Sequence, residues 1–141
     1  MSLLELDALQ RAVQAYTVAC LVAKDDAVIH KLSTELQDVI KAGIIQHFEF
    51  TYELCWKFIK RWLEKNYGSS EVDGVTRREL FRLAAENKLI TSVEQWMHFH
   101  QARNQTSHTY DPDIALEVYN TSLDFLQVAQ HLLQQLQGKN D

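Results

Sequence analysis

Residues 34–67 read TELQDVIKAGIIQHFEFTYELCWKFIKRWLEKNY, and this stretch decides the fold. Its apolar residues recur at three- and four-residue steps, which is the period of a helix. One apolar stripe consists of Ile44, Ile45, Phe48, Tyr52, Cys55, Ile59 and Leu63, and a second consists of Phe50, Leu54, Phe58 and Trp62. A surface helix needs one apolar stripe. Two stripes predict a central helix, or one that also forms a subunit interface.

The sequence on either side of this stretch also reads as helical, with short connections. Asp25 and Asp26 predict a turn, and residues 27–32 predict either another turn or the lead-in to the long helix. Further helices are predicted over residues 3 to about 23, 77 to about 87 behind the capping box Thr76-Arg77-Arg78-Glu79, from Thr91 or Ser92 to about 108, and from Asp111-Pro112 to about Gln137.

Glycine and proline are scarce, at 4 and 1 residues, which disfavours the many turns of an all-β protein. We therefore predict an all-α fold, an antiparallel up-and-down four-helix bundle with one additional short helix, in a single domain over residues 1–141.

The composition bounds the partners and the compartment. A net charge of −5 over 141 residues argues against a protein that wraps duplex DNA. We find no signal peptide and no apolar run long enough to span a membrane. Cys20 and Cys55 lie in apolar helical stretches without metal-ligand spacing, which favours reduced, buried thiols. The prediction is a cytoplasmic protein that is not bound to a membrane.

Familiar metal and phosphate motifs do not occur in the sequence. It has no glycine-rich phosphate loop and no HExxH pair. His98 and His100 are two residues apart, so on a helix they point to nearly opposite sides. We predict no metal site and no bound cofactor.

One polar run stands out, the segment RNQTSHTY at residues 103–110. Such a run at a helix end is often no more than a capping and turn signal. Its types also suit metal-free RNA cleavage, because Arg103 can stabilise phosphorane charge and His108 can transfer a proton near neutral pH. These two residues are about 140° apart on an ideal helix. Bringing them together needs the long arginine side chain, a distorted last turn or a second subunit.

The same residues resemble the signature of HEPN domains, Arg-x4-His followed by x-Tyr. Arg103, His108 and Tyr110 match it, and Asn104 supplies the polar residue that usually follows the arginine. The segment FEFTYELCWK at residues 48–57 resembles the branch known as nucleotidyltransferase substrate-binding proteins. The resemblance covers roughly residues 44–136.

The resemblance implies a four- or five-helix bundle that forms a homodimer with both motifs at a shared cleft. It implies a metal-independent RNase toxin whose partner is a minimal nucleotidyltransferase acting as antitoxin. Arg103 and His108 would be the catalytic pair, Asn104 an accessory, and Tyr110 the acceptor of AMP from the partner. The alternative is a non-catalytic subunit that presents a nucleotide or other substrate to the nucleotidyltransferase. The acidic charge fits a protein partner, or a tightly focused RNA site, better than an extended RNA surface.

Overall fold

Six α-helices make up the fold in the computed structural model, which describes residues 3–140. They are α1 (Asp7–Ala23), α2 (Asp26–Ile29), α3 (Thr34–Tyr67), α4 (Arg77–Glu86), α5 (Val93–Gln105) and α6 (Pro112–Gly138), with short 3-10 turns at Ser69–Glu71 and Thr106–His108. No strand occurs among the described residues, and the prediction of an all-α fold is confirmed. The antiparallel up-and-down order of the bundle stays a prediction.

The helix ends follow local chemistry that was largely visible in the sequence. The side chains of Thr76, Ser92 and Asp111 accept hydrogen bonds from backbone N–H groups at the starts of α4, α5 and α6. The first helix begins at Asp7 rather than Leu3. Residues 25–32 contain the single-turn helix α2, whose first turn is capped by Asp25.

The core lies where α1, α3 and α6 pack against one another and α5 closes the remaining side against α6 and α4. Phe125 of α6 is at its centre and is fully buried. Edge-to-face contacts join its ring to Phe48, Trp96 and Phe99, with centroids 5.3, 5.4 and 4.8 Å away. These contacts fix α5 relative to α3 and α6, and therefore fix the position of the polar run that follows α5.

The two predicted stripes of α3 have different environments. The first is buried along its length, except that Ile45 is half-buried. In the second, Phe58 and Trp62 are buried, Leu54 is half-buried, and Phe50 is 60% exposed. The helix is therefore central over its C-terminal half, while its middle presents an aromatic side chain to solvent.

Candidate functional site

The end of α5 tightens before the chain turns into α6. The residues Thr106–His108 form a 3-10 turn, and the backbone N–H of Asp111 donates to the carbonyl of His108 at 3.1 Å. Asp111 then caps α6, with Pro112 in the first helical turn. The predicted polar run thus spans the last turns of α5, the 3-10 turn and the connection to α6.

Arg103 is directed toward α3 and is held there by several groups. Its Nε lies 3.3 Å from Oε1 of Glu53, although the N–H is not aligned for a hydrogen bond. Its Nη1 lies 3.9 Å from Oε2 of Glu49 and donates to Oγ1 of Thr106 at 3.1 Å. No hydrogen bond among residues 3–140 involves Nη2. The guanidinium is therefore fixed on one edge and keeps donors available on the other.

A second set of contacting side chains continues from Glu53 and joins α3, α4 and α5. Nε1 of Trp56 donates to Oε2 of Glu53 at 3.0 Å. The guanidinium of Arg77 lies over the Trp56 ring, with Cζ 3.6 Å from the ring centroid. Arg77 Nη1 is 3.5 Å from the hydroxyl oxygen of Tyr52, which in turn lies 2.7 Å from Nδ1 of His100.

Burial determines the protonation states of Tyr52 and His100. Burial raises the pKa of Tyr52 above its usual value against the opposing charge of Arg77, so its hydroxyl keeps its proton. Burial and then repulsion from Arg77 lower the pKa of His100, so its ring is neutral at pH 7. The Tyr52 hydroxyl therefore joins Arg77 to His100.

His108 and Tyr110 are on the solvent side of the turn. His108 is exposed, Tyr110 is 82% exposed, and their rings meet edge to face with centroids 6.1 Å apart. Their functional groups are open to a large molecule.

Asn104 lies on a different side of α5 from Arg103. It is exposed and lines a groove of about 520 Å³ between α5 and α6, together with His98 and Glu117. The structure therefore does not bring Asn104 and Arg103 to one groove.

Arg103 and His108 have different environments. No hydrogen bond joins them among residues 3–140, and one side chain faces α3 while the other faces solvent. The 3-10 turn does not correct this, because its residues advance about 120° each rather than 100°. Of the three routes considered for bringing the pair together, the tightened turn alone is not sufficient.

Membrane spans and metal clusters are absent from residues 3–140. No helix there is both long and apolar enough to cross a membrane. That part of the chain also has no group of three or more potential metal-ligating side chains. Cys20 and Cys55 are buried and free, and burial raises the pKa of both thiols.

Comparison with known proteins shows the family to which this chain belongs. Residues 4–138 match the model of the family described as nucleotidyltransferase substrate binding protein like. The chain belongs to this family. The predicted membership in the nucleotidyltransferase substrate-binding branch of HEPN proteins is therefore confirmed.

Two matches from Haemophilus influenzae carry more specific descriptions. The chain is 38% identical over 106 residues to the probable ribonuclease HepT, and the match covers 74% of this chain and 73% of that protein. Its fold matches HI0074, described as revealing the fold of a substrate binding domain of a nucleotidyltransferase, with a TM-score of 0.90 and 32% identity over 94% of this chain and 99% of that one.

A third similarity concerns the fold alone. A protein from Thermus thermophilus has a TM-score of 0.70 at 22% identity, over 91% of this chain and 98% of that one.

The sequence analysis did not find the groups that surround Arg103. Glu49 and Glu53 are four residues apart, so they share a face of α3. That spacing is visible in the sequence and is compatible with a site. Tyr52, Arg77 and His100 join through contacts between three helices, which no local pattern encodes.

Proposed function

We propose that this family member is a metal-independent endoribonuclease, the HEPN component of a two-component system with a minimal nucleotidyltransferase. The observation that carries the proposal is the arrangement at the end of α5, where an anchored arginine with free donors precedes an exposed histidine. The similarity to a probable ribonuclease supports the same reading.

The residues suit cleavage by transesterification. His108 removes the proton from a 2′-hydroxyl, or supplies one to the leaving oxygen. The 2′-oxygen attacks phosphorus, the bond from phosphorus to the 5′-oxygen breaks, and a 2′,3′-cyclic phosphate and a 5′-hydroxyl result. The free donors of Arg103 stabilise the charge that develops on the phosphorane oxygens.

The separation of Arg103 from His108 supports a homodimeric site. Within one chain, the motif histidine faces solvent while the motif arginine faces α3. Two chains supply two copies of each residue, so the arginine of one copy can serve the histidine of the other. The outer face of α3 offers a surface for the second copy: Leu36, Val39 and Phe50 are 52%, 65% and 60% exposed, and their spacing puts them on one stripe. Phe50 lies three residues from Glu53, so this stripe borders the side chains around Arg103.

Tyr110 is the proposed control point. Its exposed hydroxyl oxygen attacks the α-phosphorus of ATP held by the nucleotidyltransferase, pyrophosphate leaves, and the phenolic proton goes to solvent or a base. The attached AMP would sit beside His108, whose ring is 6.1 Å from that of Tyr110. It would block substrate and add negative charge there.

A non-catalytic role is the second candidate. The similarity to HI0074, described as a substrate binding domain of a nucleotidyltransferase, favours it. So does the pairing of Arg103 with two carboxylates, which weakens its attraction for phosphate. In this role the protein would bind a nucleotide or another substrate for the nucleotidyltransferase and would cleave nothing.

Digestion of RNA in excess chelator separates the two candidates. Single-stranded RNA is incubated with wild type, His108→Ala and the control His30→Ala, whose histidine is exposed beyond α2. We expect wild type and His30→Ala to release 2′,3′-cyclic phosphate ends, and His108→Ala to lose at least about 100-fold in rate, the scale of general acid–base catalysis. Cleavage that requires a metal, or full activity in His108→Ala, would overturn the RNase proposal. A stable nucleotidyltransferase complex without any cleavage would favour the second candidate.

A further inference from the structure

The charge around Arg103 is unfavourable for a polyanion. Glu49 and Glu53 lie 3.9 and 3.3 Å from its guanidinium nitrogens, so two carboxylates face one cation. An RNA strand that reaches Arg103 must pass these carboxylates, and a single offset arginine supplies little of the phosphate neutralisation on which RNA affinity depends. Further cations are needed close by.

Two further cations lie around Trp56. The guanidinium of Arg77 lies over the Trp56 ring at 3.6 Å, and Nζ of Lys57 is 5.8 Å from the same ring centroid. Neither cation takes part in an ion pair among residues 3–140. Trp56 also donates to Glu53, the partner of Arg103. The uncompensated charge is thus linked to the motif arginine through two side chains, Trp56 and Glu53.

Arg77 is also held in place. It is half-buried, with Trp56 beneath its guanidinium and the hydroxyl oxygen of Tyr52 at 3.5 Å from Nη1. A guanidinium over a ring keeps its remaining N–H donors in its own plane, where they can reach a phosphate. Tyr52 is fixed in turn by His100.

The position of Arg77 in its helix is electrostatically unfavourable. It is the first residue of α4, where the helix dipole repels a cation. The next residue, Arg78, has Glu94 as a partner, whereas Arg77 has no carboxylate partner among the described residues. Together with the N–H groups of the first helical turn that Thr76 does not cap, Arg77 makes a focus of positive potential.

We propose that Arg77 and Lys57, gathered around Trp56, bind a backbone phosphate of single-stranded RNA next to the phosphate at Arg103. This subsite rests on the RNase function proposed above. It accounts for how an acidic protein holds RNA locally, without an extended basic surface.

Binding and cleavage by matched variants test the subsite. In the non-cleaving His108→Ala background, a fluorescein-labelled single-stranded RNA of about 12 nucleotides is titrated by anisotropy at several salt concentrations. Arg77→Gln should raise Kd by about 5- to 10-fold and lower the steepness of log K against log salt by about 0.7, the value for one phosphate contact on a single strand. Arg77→Lys should restore that slope. The control Arg82→Gln lies on the same helix in exposed pairs with Glu79 and Glu86 and should bind as the parent does.

In the cleaving protein, Arg77→Gln should raise KM several-fold with kcat changed by less than about twofold. Unchanged Kd and KM, or an equal loss in Arg82→Gln, would overturn the subsite while leaving the RNase intact. A wild type that cleaves nothing but binds RNA through Arg77 would overturn the RNase and keep the subsite. If Arg77→Gln weakens a complex with the nucleotidyltransferase and leaves RNA binding unchanged, the surface is a protein-docking site and the subsite is wrong.

Discussion

Arg103 and Tyr110 belong to one eight-residue run but have opposite environments. Arg103 is surrounded by Glu49, Glu53 and Thr106, which restrict its side chain. Tyr110 is 82% exposed and has a partner ring, that of His108, but no hydrogen bond to its hydroxyl among residues 3–140. At the scale of single residues, the run therefore combines an anchored cation with a freely accessible phenol hydroxyl.

Accessibility of Tyr110 leads to a prediction about modification. Incubation with the partner nucleotidyltransferase, ATP and Mg²⁺ should add one or more AMP groups, detected by intact mass, and should reduce RNA cleavage. Tyr110→Phe should accept none and should remain active in the partner's presence. The control Tyr67→Phe, which removes another exposed tyrosine hydroxyl, should be modified as wild type is. AMP on Tyr110→Phe at the wild-type level would contradict the prediction.

At the scale of elements, α4 shows how much of a helix end is encoded locally. Its start follows the predicted capping box, since the Glu79 N–H donates to Thr76 Oγ1 at 3.1 Å. The Glu79 carboxylate, however, pairs with Arg82. At the other end Asn87 closes the helix with a negative φ, and the left-handed residue is Lys88, with a φ of 61°. A residue other than glycine is strained in that left-handed backbone conformation.

Relief of this strain is a prediction about stability. Lys88→Gly should raise the free energy of unfolding by about 0.5–1 kcal/mol, the left-handed penalty less the added entropy of glycine in the unfolded chain. Urea denaturation measures the change. Gln127→Gly, at an exposed position within α6, should instead lower it by about 1 kcal/mol. A loss of stability in Lys88→Gly would show that the side chain contributes more than the backbone strain costs.

At the scale of the whole molecule, the fold leaves apolar side chains on two outer faces. The stripe of α3 contains Leu36, Val39 and Phe50, and the outer face of α1 contains Val18 and Leu21. The proposed dimer uses the α3 face, because that face borders Glu49 and Glu53, which contact Arg103.

Sedimentation of matched variants tests whether the α3 face forms the dimer interface. Wild type should sediment at twice the 16.4 kDa chain mass at micromolar concentrations. Phe50→Glu should sediment as a monomer and lose RNA cleavage, since a buried unpaired charge is costly at an interface. Leu21→Glu, on the outer face of α1, should remain a dimer and remain active. A monomeric wild type, or dissociation by Leu21→Glu alone, would contradict this arrangement.

The sequence by itself determined the helices and the candidate motif. Helical periodicity and caps such as Asp111 act over a few residues, so the five longer helices and the all-α fold followed from local patterns. The single-turn helix α2 did not, since residues 25–32 were predicted as a turn or a lead-in. The motif residues Arg103, His108 and Tyr110 were found by their types and spacing, and the family by resemblance. Their roles stay predictions.

The tertiary structure decided how those residues are arranged. The docking of α4 and α5 on α3 brings Arg103 to Glu49 and Glu53. It also brings Arg77 to Trp56. The docking is set by the packing of buried rings around Phe125, which are far apart in sequence. Side chains on different helices come together only after that core forms, because the interactions that align the helices are non-local and cooperative. The periodicity of one helix gives its faces but not the register of its neighbours.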